Sequence, residues 1–150
     1  MKSRLIMLAT AILAMALLAG CGELSKSEYV KEVNKISSKA DKQFSKLDKG
    51  EADDGDIKAI TKALDSMADD LDALKAPSEV KDLHKDLVQT LRDGSDLVDE
   101  AGDIGIFEDP SKIDPKKMEE FQKHAAAFEK DSKRIESGFK KKKYSIKLGD

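Results

Sequence analysis

Apolar side chains recur at steps of three and four in four separate stretches of this chain, and no stretch can bury its stripe alone. Tyr29, Val33, Ile36, Ala40, Phe44 and Leu47 form the first seam. Ile57, Ile60, Leu64, Met67, Leu71 and Leu74 form the second. Val80, Leu83, Leu87, Leu91, Val98 and Ala101 form the third, with Gly94 where a seam residue belongs. Met118, Phe121, Ala125, Phe128, Ser132, Ile135 and Phe139 form the fourth. This period is that of the α-helix. An amphipathic helix is stabilised mainly by the partner that covers its apolar face. The expected fold is therefore all-α: an antiparallel bundle of three to four amphipathic helices.

Punctuation sets the boundaries. Ser25 with Glu28 reads as a capping box opening a helix over 24–49, and Gly50 stops it. A polar turn over 51–56 leads into a second helix over 57–75, ended by Ala76-Pro77. Ser78 is expected to cap the third helix, and Asp114-Pro115 opens the fourth as N-cap and N1. The connection over 102–112 is irregular, with Ile104, Ile106 and Phe107 expected to fold back on the bundle. Charged residues make up 38% of the chain and aromatics only 5%, a composition that disorder also uses, and the regular seams decide for folded helices.

The first 20 residues lie outside this pattern. Lys2 and Arg4 precede a run of 14 residues, Leu5 to Leu18, in which Thr10 alone is polar. Such a run extends roughly 21 Å as a helix, short of a hydrocarbon core of about 30 Å. It reads as an export signal rather than a permanent span. It ends in Leu18-Ala19-Gly20-Cys21, and Cys21 is the one cysteine of the chain. This tetrapeptide resembles the lipobox of bacterial lipoproteins. The resemblance implies a diacylglyceryl group on the Cys21 thiol and cleavage between Gly20 and Cys21. Two acyl chains, at about 0.8 kcal/mol per buried CH₂, hold a domain stably on a bilayer. Domain organisation follows: a signal over 1–20, a lipidated tether over 21–25, a helical domain over 26–139 and a basic tail over 140–150. The expected location is the cell membrane, lipid-anchored on the extracytoplasmic face.

A wider likeness adds to this. Leu18-Ala19-Gly20-Cys21, Glu28-Tyr29-Val30, Ala76-Pro77-Ser78-Glu79 with Leu83-His84, and Ile113-Asp114-Pro115 together resemble small lipoproteins of Gram-positive bacteria. That resemblance implies surface anchoring and a helical ectodomain. It brings no catalytic residue.

Little chemistry is legible. After loss of Lys2 and Arg4, 25 basic residues face 30 acidic ones, mixed along the chain, so no nucleic-acid partner is expected. His84 and His124 lack the Glu-x-x-His spacing of a ferritin-like site, since Lys81 and Phe121 stand three residues before them. Glu120 and His124, four apart, make a weak metal pair at best. Each histidine lies beside its seam and is expected at the boundary of the apolar face, satisfied by water or a neighbouring carboxylate. Met67 and Met118 are seam residues rather than axial ligands for a haem. Aligned as a calcium loop, the turn around Gly55 lacks three key ligands, with Gly50 at position 1, Ala52 at position 3 and Thr61 where position 12 needs a bidentate glutamate. No serine stands in a nucleophile elbow, and Gly102 and Gly105 are too few for a phosphate loop. The expectation is no enzyme, no cofactor and no metal.

One stretch stands apart. Lys140, Lys141, Lys142, Lys143 and Lys147, interleaved with Tyr144, Ile146 and Leu148, could complement the helix dipole or meet an anionic surface. The partners expected are the membrane, through lipid on Cys21, and a protein or anionic cell-wall polymer. The functional expectation is a non-catalytic lipoprotein of envelope interaction or structure. The alternative is a ligand- or metal-binding helical lipoprotein.

Overall fold

A computed structural model describes residues 22–47, 54–107 and 110–147. Four α-helices run in order: α1 Lys26–Leu47, α2 Asp54–Asp72, α3 Lys81–Asp103 and α4 Pro115–Lys141. Short 3₁₀ turns, Ser78–Val80 and Pro110–Lys112, precede α3 and α4. No strand occurs among the described residues. The fold is all-α, as the four seams predict. The export signal, the Leu18-Ala19-Gly20-Cys21 motif, the residues 51–53 of the acidic turn and Leu148 lie outside the described residues.

α1 packs on α2, α2 on α3, and α3 on α4. Neighbours run antiparallel. The start of α1 meets the end of α2, where Leu24 N–H donates to the Lys75 carbonyl at 2.9 Å. The start of α2 meets the end of α3, where Thr61 Oγ1 donates to Asp99 at 2.7 Å. All four seams supply side chains to one core, in which Tyr29, Val33, Met67, Leu71, Leu87, Ile135 and Phe139 pack together. Tyr29, Val33, Leu71, Val80, Ile135 and Phe139 are the largest fully buried side chains. Gly94 resolves as a site of close approach: a Cβ there would sit 3.0 Å from the Phe128 ring.

Three boundaries differ from expectation. α2 opens at Asp54, so the second half of the acidic turn is helical. Ser78 makes no side-chain cap. Its N–H is taken instead by Glu23 Oε2 at 2.9 Å, a carboxylate 55 residues away. The third difference is the end of the domain. The boundary drawn after Phe139 moves outward, because α4 continues to Lys141 and Tyr144 is only 3% exposed. Residues 142–147 form no free tail.

The chain turns back through a left-handed C-cap. Lys143 holds φ +59°. Tyr144 N–H donates to the Phe139 carbonyl at 2.9 Å and Lys143 N–H to the Lys140 carbonyl at 3.0 Å. That pair of bonds satisfies two orphan carbonyls of the last turn. The same motif ends α3, but there Gly105 takes the position at φ +80°. Glycine adopts this conformation freely, whereas a lysine meets its own Cβ. After the turn, Tyr144 and Ile146 point inward while Ser145 and Lys147 face out, an extended alternation without a sheet.

Candidate functional site

The most elaborated region of the domain lies at the end where the described chain begins. Ser25 opens α1 as the sequence predicts. Its N–H donates to Glu28 Oε2 at 2.9 Å and its hydroxyl to the same oxygen at 2.6 Å. These bonds hold the Glu28 carboxyl below its ordinary range. One turn on, Tyr29 is completely buried and meets three rings. Phe139 stacks on it at 6.2 Å between centroids, and Tyr144 and His84 meet it edge-on at 5.8 and 5.7 Å. Four elements thus converge: α1, α3, α4 and the returning segment.

His84 is not the boundary histidine expected. It is 6% exposed, and its Nδ1 lies 3.0 Å from Tyr29 Oη. Burial pushes the imidazole below its ordinary pKa, with Asp72 acting weakly the other way. Burial also pushes the Tyr29 phenol well above its usual value, with Tyr144 adding to the effect. Burial thus favours the neutral form of both groups, and a neutral phenol and a neutral imidazole can share one proton between Oη and Nδ1, its direction set by the histidine tautomer. The sequence conceals this because the burial of His84 depends on α1 crossing it. Tyr144 is held in turn by Glu79, to which its hydroxyl donates. Burial first, and then that bond, raise its phenol to about 12.

His124 behaves differently. Its partner is Glu100 of α3, at 2.8 Å, rather than Glu120 of its own helix. The two histidines are not brought together. His84 belongs to the ring cluster, whereas His124 rims a shallow acidic groove of about 390 Å³ with Asp93, Asp96, Glu100 and Asp131. No group of three or more metal-ligating side chains converges among the described residues.

The five tail lysines separate. Lys140 and Lys141 close α4, and Lys142 and Lys143 form the turn, all four exposed. Lys26 reaches across from α1: its Nζ donates to the Lys142 carbonyl at 2.7 Å and stands 4.5 Å over the Tyr144 ring. Lys147 lies elsewhere. Its N–H donates to Asn34 Oδ1 at 2.8 Å, two turns into α1, and Asn34 Nδ2 donates to the Ser145 carbonyl at 3.2 Å. Tyr144 is locked in the core and offers nothing to a surface.

A groove of about 660 Å³ opens below this segment. Met67, Leu87, Phe128, Ile135 and Ile146 make its floor, and Glu129, Lys133 and Lys147 its rim. Among the described residues no helix is long and apolar enough to cross a membrane. Comparisons with protein-family models, with curated proteins and with solved structures gave no match to this chain.

Proposed function

We propose that this chain is a membrane-anchored lipoprotein of the extracytoplasmic face, tethered through lipid on Cys21, whose helical domain acts by contact rather than catalysis. Its role is envelope-associated interaction or structure. The observation that carries the reading is the junction between motif and fold. The sequence Leu18-Ala19-Gly20-Cys21 is followed at once by folded chain: Glu23 is bonded to Ser78 and Leu24 to Lys75. Glu23 and Leu24 lie at one end of the bundle, so lipid on a cysteine two residues before Glu23 would meet a bilayer there and leave the core undisturbed.

Support for contact over chemistry comes from the titratable side chains. His84 and His124 are each committed to a protein partner, a phenol and a carboxylate. Catalytic acids and bases need a free position facing a reacting atom.

The test is mass spectrometry of the full chain expressed in a bacterium that processes lipoproteins. A mature N-terminus at Cys21 carrying a diacylglyceryl thioether is the expected result, with the protein released from membranes by detergent but not by salt. A bare thiol, or a chain retaining residues 1–20, refutes the reading. The 660 Å³ groove favours a second reading, carriage of an apolar ligand. An apolar molecule that co-purifies in stoichiometric amount, and is lost on filling the groove with Leu91→Trp, would select it.

A further inference from the structure

We propose that the lysine end of the bundle is a contact face for anionic lipid headgroups, which holds the domain against the bilayer in one orientation. This rests on the anchoring reading above. Three independent features of the structure lead to it.

The first is reach. Glu23 and Leu24 are tied to the turn between α2 and α3. Only two residue steps separate Glu23 from Cys21, at most about 7 Å of chain. An acyl anchor on Cys21 therefore keeps this end of the bundle within about one Debye length, 8–10 Å, of the headgroups.

The second is charge. The mature chain carries 25 basic and 30 acidic residues, an excess of five negative. At this end the balance reverses. Residues 22–28, 72–82 and 140–143 contain seven lysines and five carboxylates, an excess of two positive. The carboxylates facing the cluster are already engaged: Glu23 with Ser78, Glu28 with Ser25, Glu79 with Tyr144 and Asp72 with Arg92. Asp82 stands in the first turn of α3. Among the described residues no carboxylate pairs with the lysines at 140–143. Along the bundle sides, by contrast, Lys39, Arg92, Lys123 and Arg134 all hold carboxylates. At the opposite end residues 54–58, 96–103 and 112–117 contain four lysines and seven carboxylates, an excess of three negative. The domain is polar in charge along its axis, and an anionic surface repels that end.

The third is conformation. Lys143 occupies a left-handed position that glycine would take with less strain. The turn thus presents a cation at a conformational cost of its own. Tyr144, its neighbour, is buried, so the contact is electrostatic and not insertion.

The test uses the acylated full chain in vesicles of phosphatidylcholine alone, or with phosphatidylglycerol, at low and high salt. Lysine labelling by a water-soluble amine reagent is read by mass spectrometry. Phosphatidylglycerol should slow labelling at positions 140–143 by about fivefold or more, the factor equivalent to one headgroup-contacting lysine. High salt should restore it, and Lys58, Lys116 and Lys117 at the far end should label alike on both vesicles. A variant with Lys→Gln at 140–143 should lose the lipid dependence of labelling at Lys75 and Lys81 while keeping the parental melting curve. An acylated Cys21 with equal labelling on both vesicles overturns this inference alone. A bare Cys21 overturns the anchoring reading and this inference with it.

Discussion

Tyr29→Phe isolates the bond at the centre of the ring cluster. The substitution keeps the ring, and with it the contacts to Phe139, Tyr144 and His84. It removes only the hydroxyl that meets His84 Nδ1 at 3.0 Å. Water cannot replace it easily, since Tyr29 is 0% and His84 6% exposed. A buried polar atom left without its partner costs about 1–3 kcal/mol, more than the bond itself contributes net. Residues 22–147 span 126 positions. Unfolding entropy of about 2.1 cal/mol/K per residue then converts each kcal/mol into about 4 °C of melting temperature. The expected drop is about 4–12 °C, followed by far-ultraviolet circular dichroism. His84→Leu and the double variant complete a cycle. If the bond is the cause, the double variant should lose less than the sum of the singles by about 1 kcal/mol or more. A Tyr29→Phe protein within about 0.5 kcal/mol of the parent, the range of an ordinary surface change, would refute the reasoning.

Four further outcomes follow from the same geometry. Burial holds the folded pKa of His84 below the ordinary imidazole value of about 6.5, so the unfolded chain binds the proton first as pH falls. Stability from this group is therefore complete above about 6.5 and falls below it, by up to about 1.4 kcal/mol per pH unit, until the folded value is passed. Urea unfolding between about pH 5 and 7 in a His124→Gln background should show that slope, and His84→Leu should abolish it. Tyr144→Ala should cost about 3–5 kcal/mol as a buried aromatic, whereas Lys→Gln at 140–143 should stay within about 0.5 kcal/mol; parallel denaturant curves compare them. Lys143→Gly should raise stability by about 1 kcal/mol by relieving the left-handed turn, visible as a higher melting temperature. Gly138→Ala would place a Cβ 2.5 Å from Leu83 Cδ2; overpacking of about 1–3 kcal/mol should outweigh a helix gain of about 1, and Leu83→Ala should partly rescue it.

The helices were legible because their cause is local. A 3/4 seam names the face a helix buries, and Ser25-x-x-Glu28 and Asp114-Pro115 name where helices start; both starts hold, with Asp114 accepting from Lys116 N–H at 2.8 Å. A seam does not say which other helix covers it. That is why His84 read as a boundary residue, and why the partner of His124 was sought at Glu120 rather than Glu100. Ser78 illustrates the same gap: its N–H is satisfied by Glu23, a residue no local rule connects to it. The tail was misread for another reason. Its reversal depends on a left-handed turn, and the residue there is Lys143, where the usual glycine signal is absent. The alternation of Tyr144 and Ile146 was visible, but a strand pattern too short for a sheet gave no hint that a helical bundle would take it as a stave. Among the lysines, sequence adjacency grouped Lys147 with 140–143, and the extended segment carries it two turns down α1 to Asn34.

That returning segment has a consequence for how the chain comes to be folded. The bonds from Lys26 and Asn34 to residues 142–147 span 116, 111 and 113 positions of sequence. A polypeptide synthesised and delivered from its amino end must therefore release residues 142–147 before α1 gains these bonds. The packing of α1 on α2 and of α2 on α3 joins sequence neighbours and does not wait for that segment. Closing so long a loop is slow, and it makes the closing of the ring cluster over Tyr29 a late step of maturation, after the helix pairs have met.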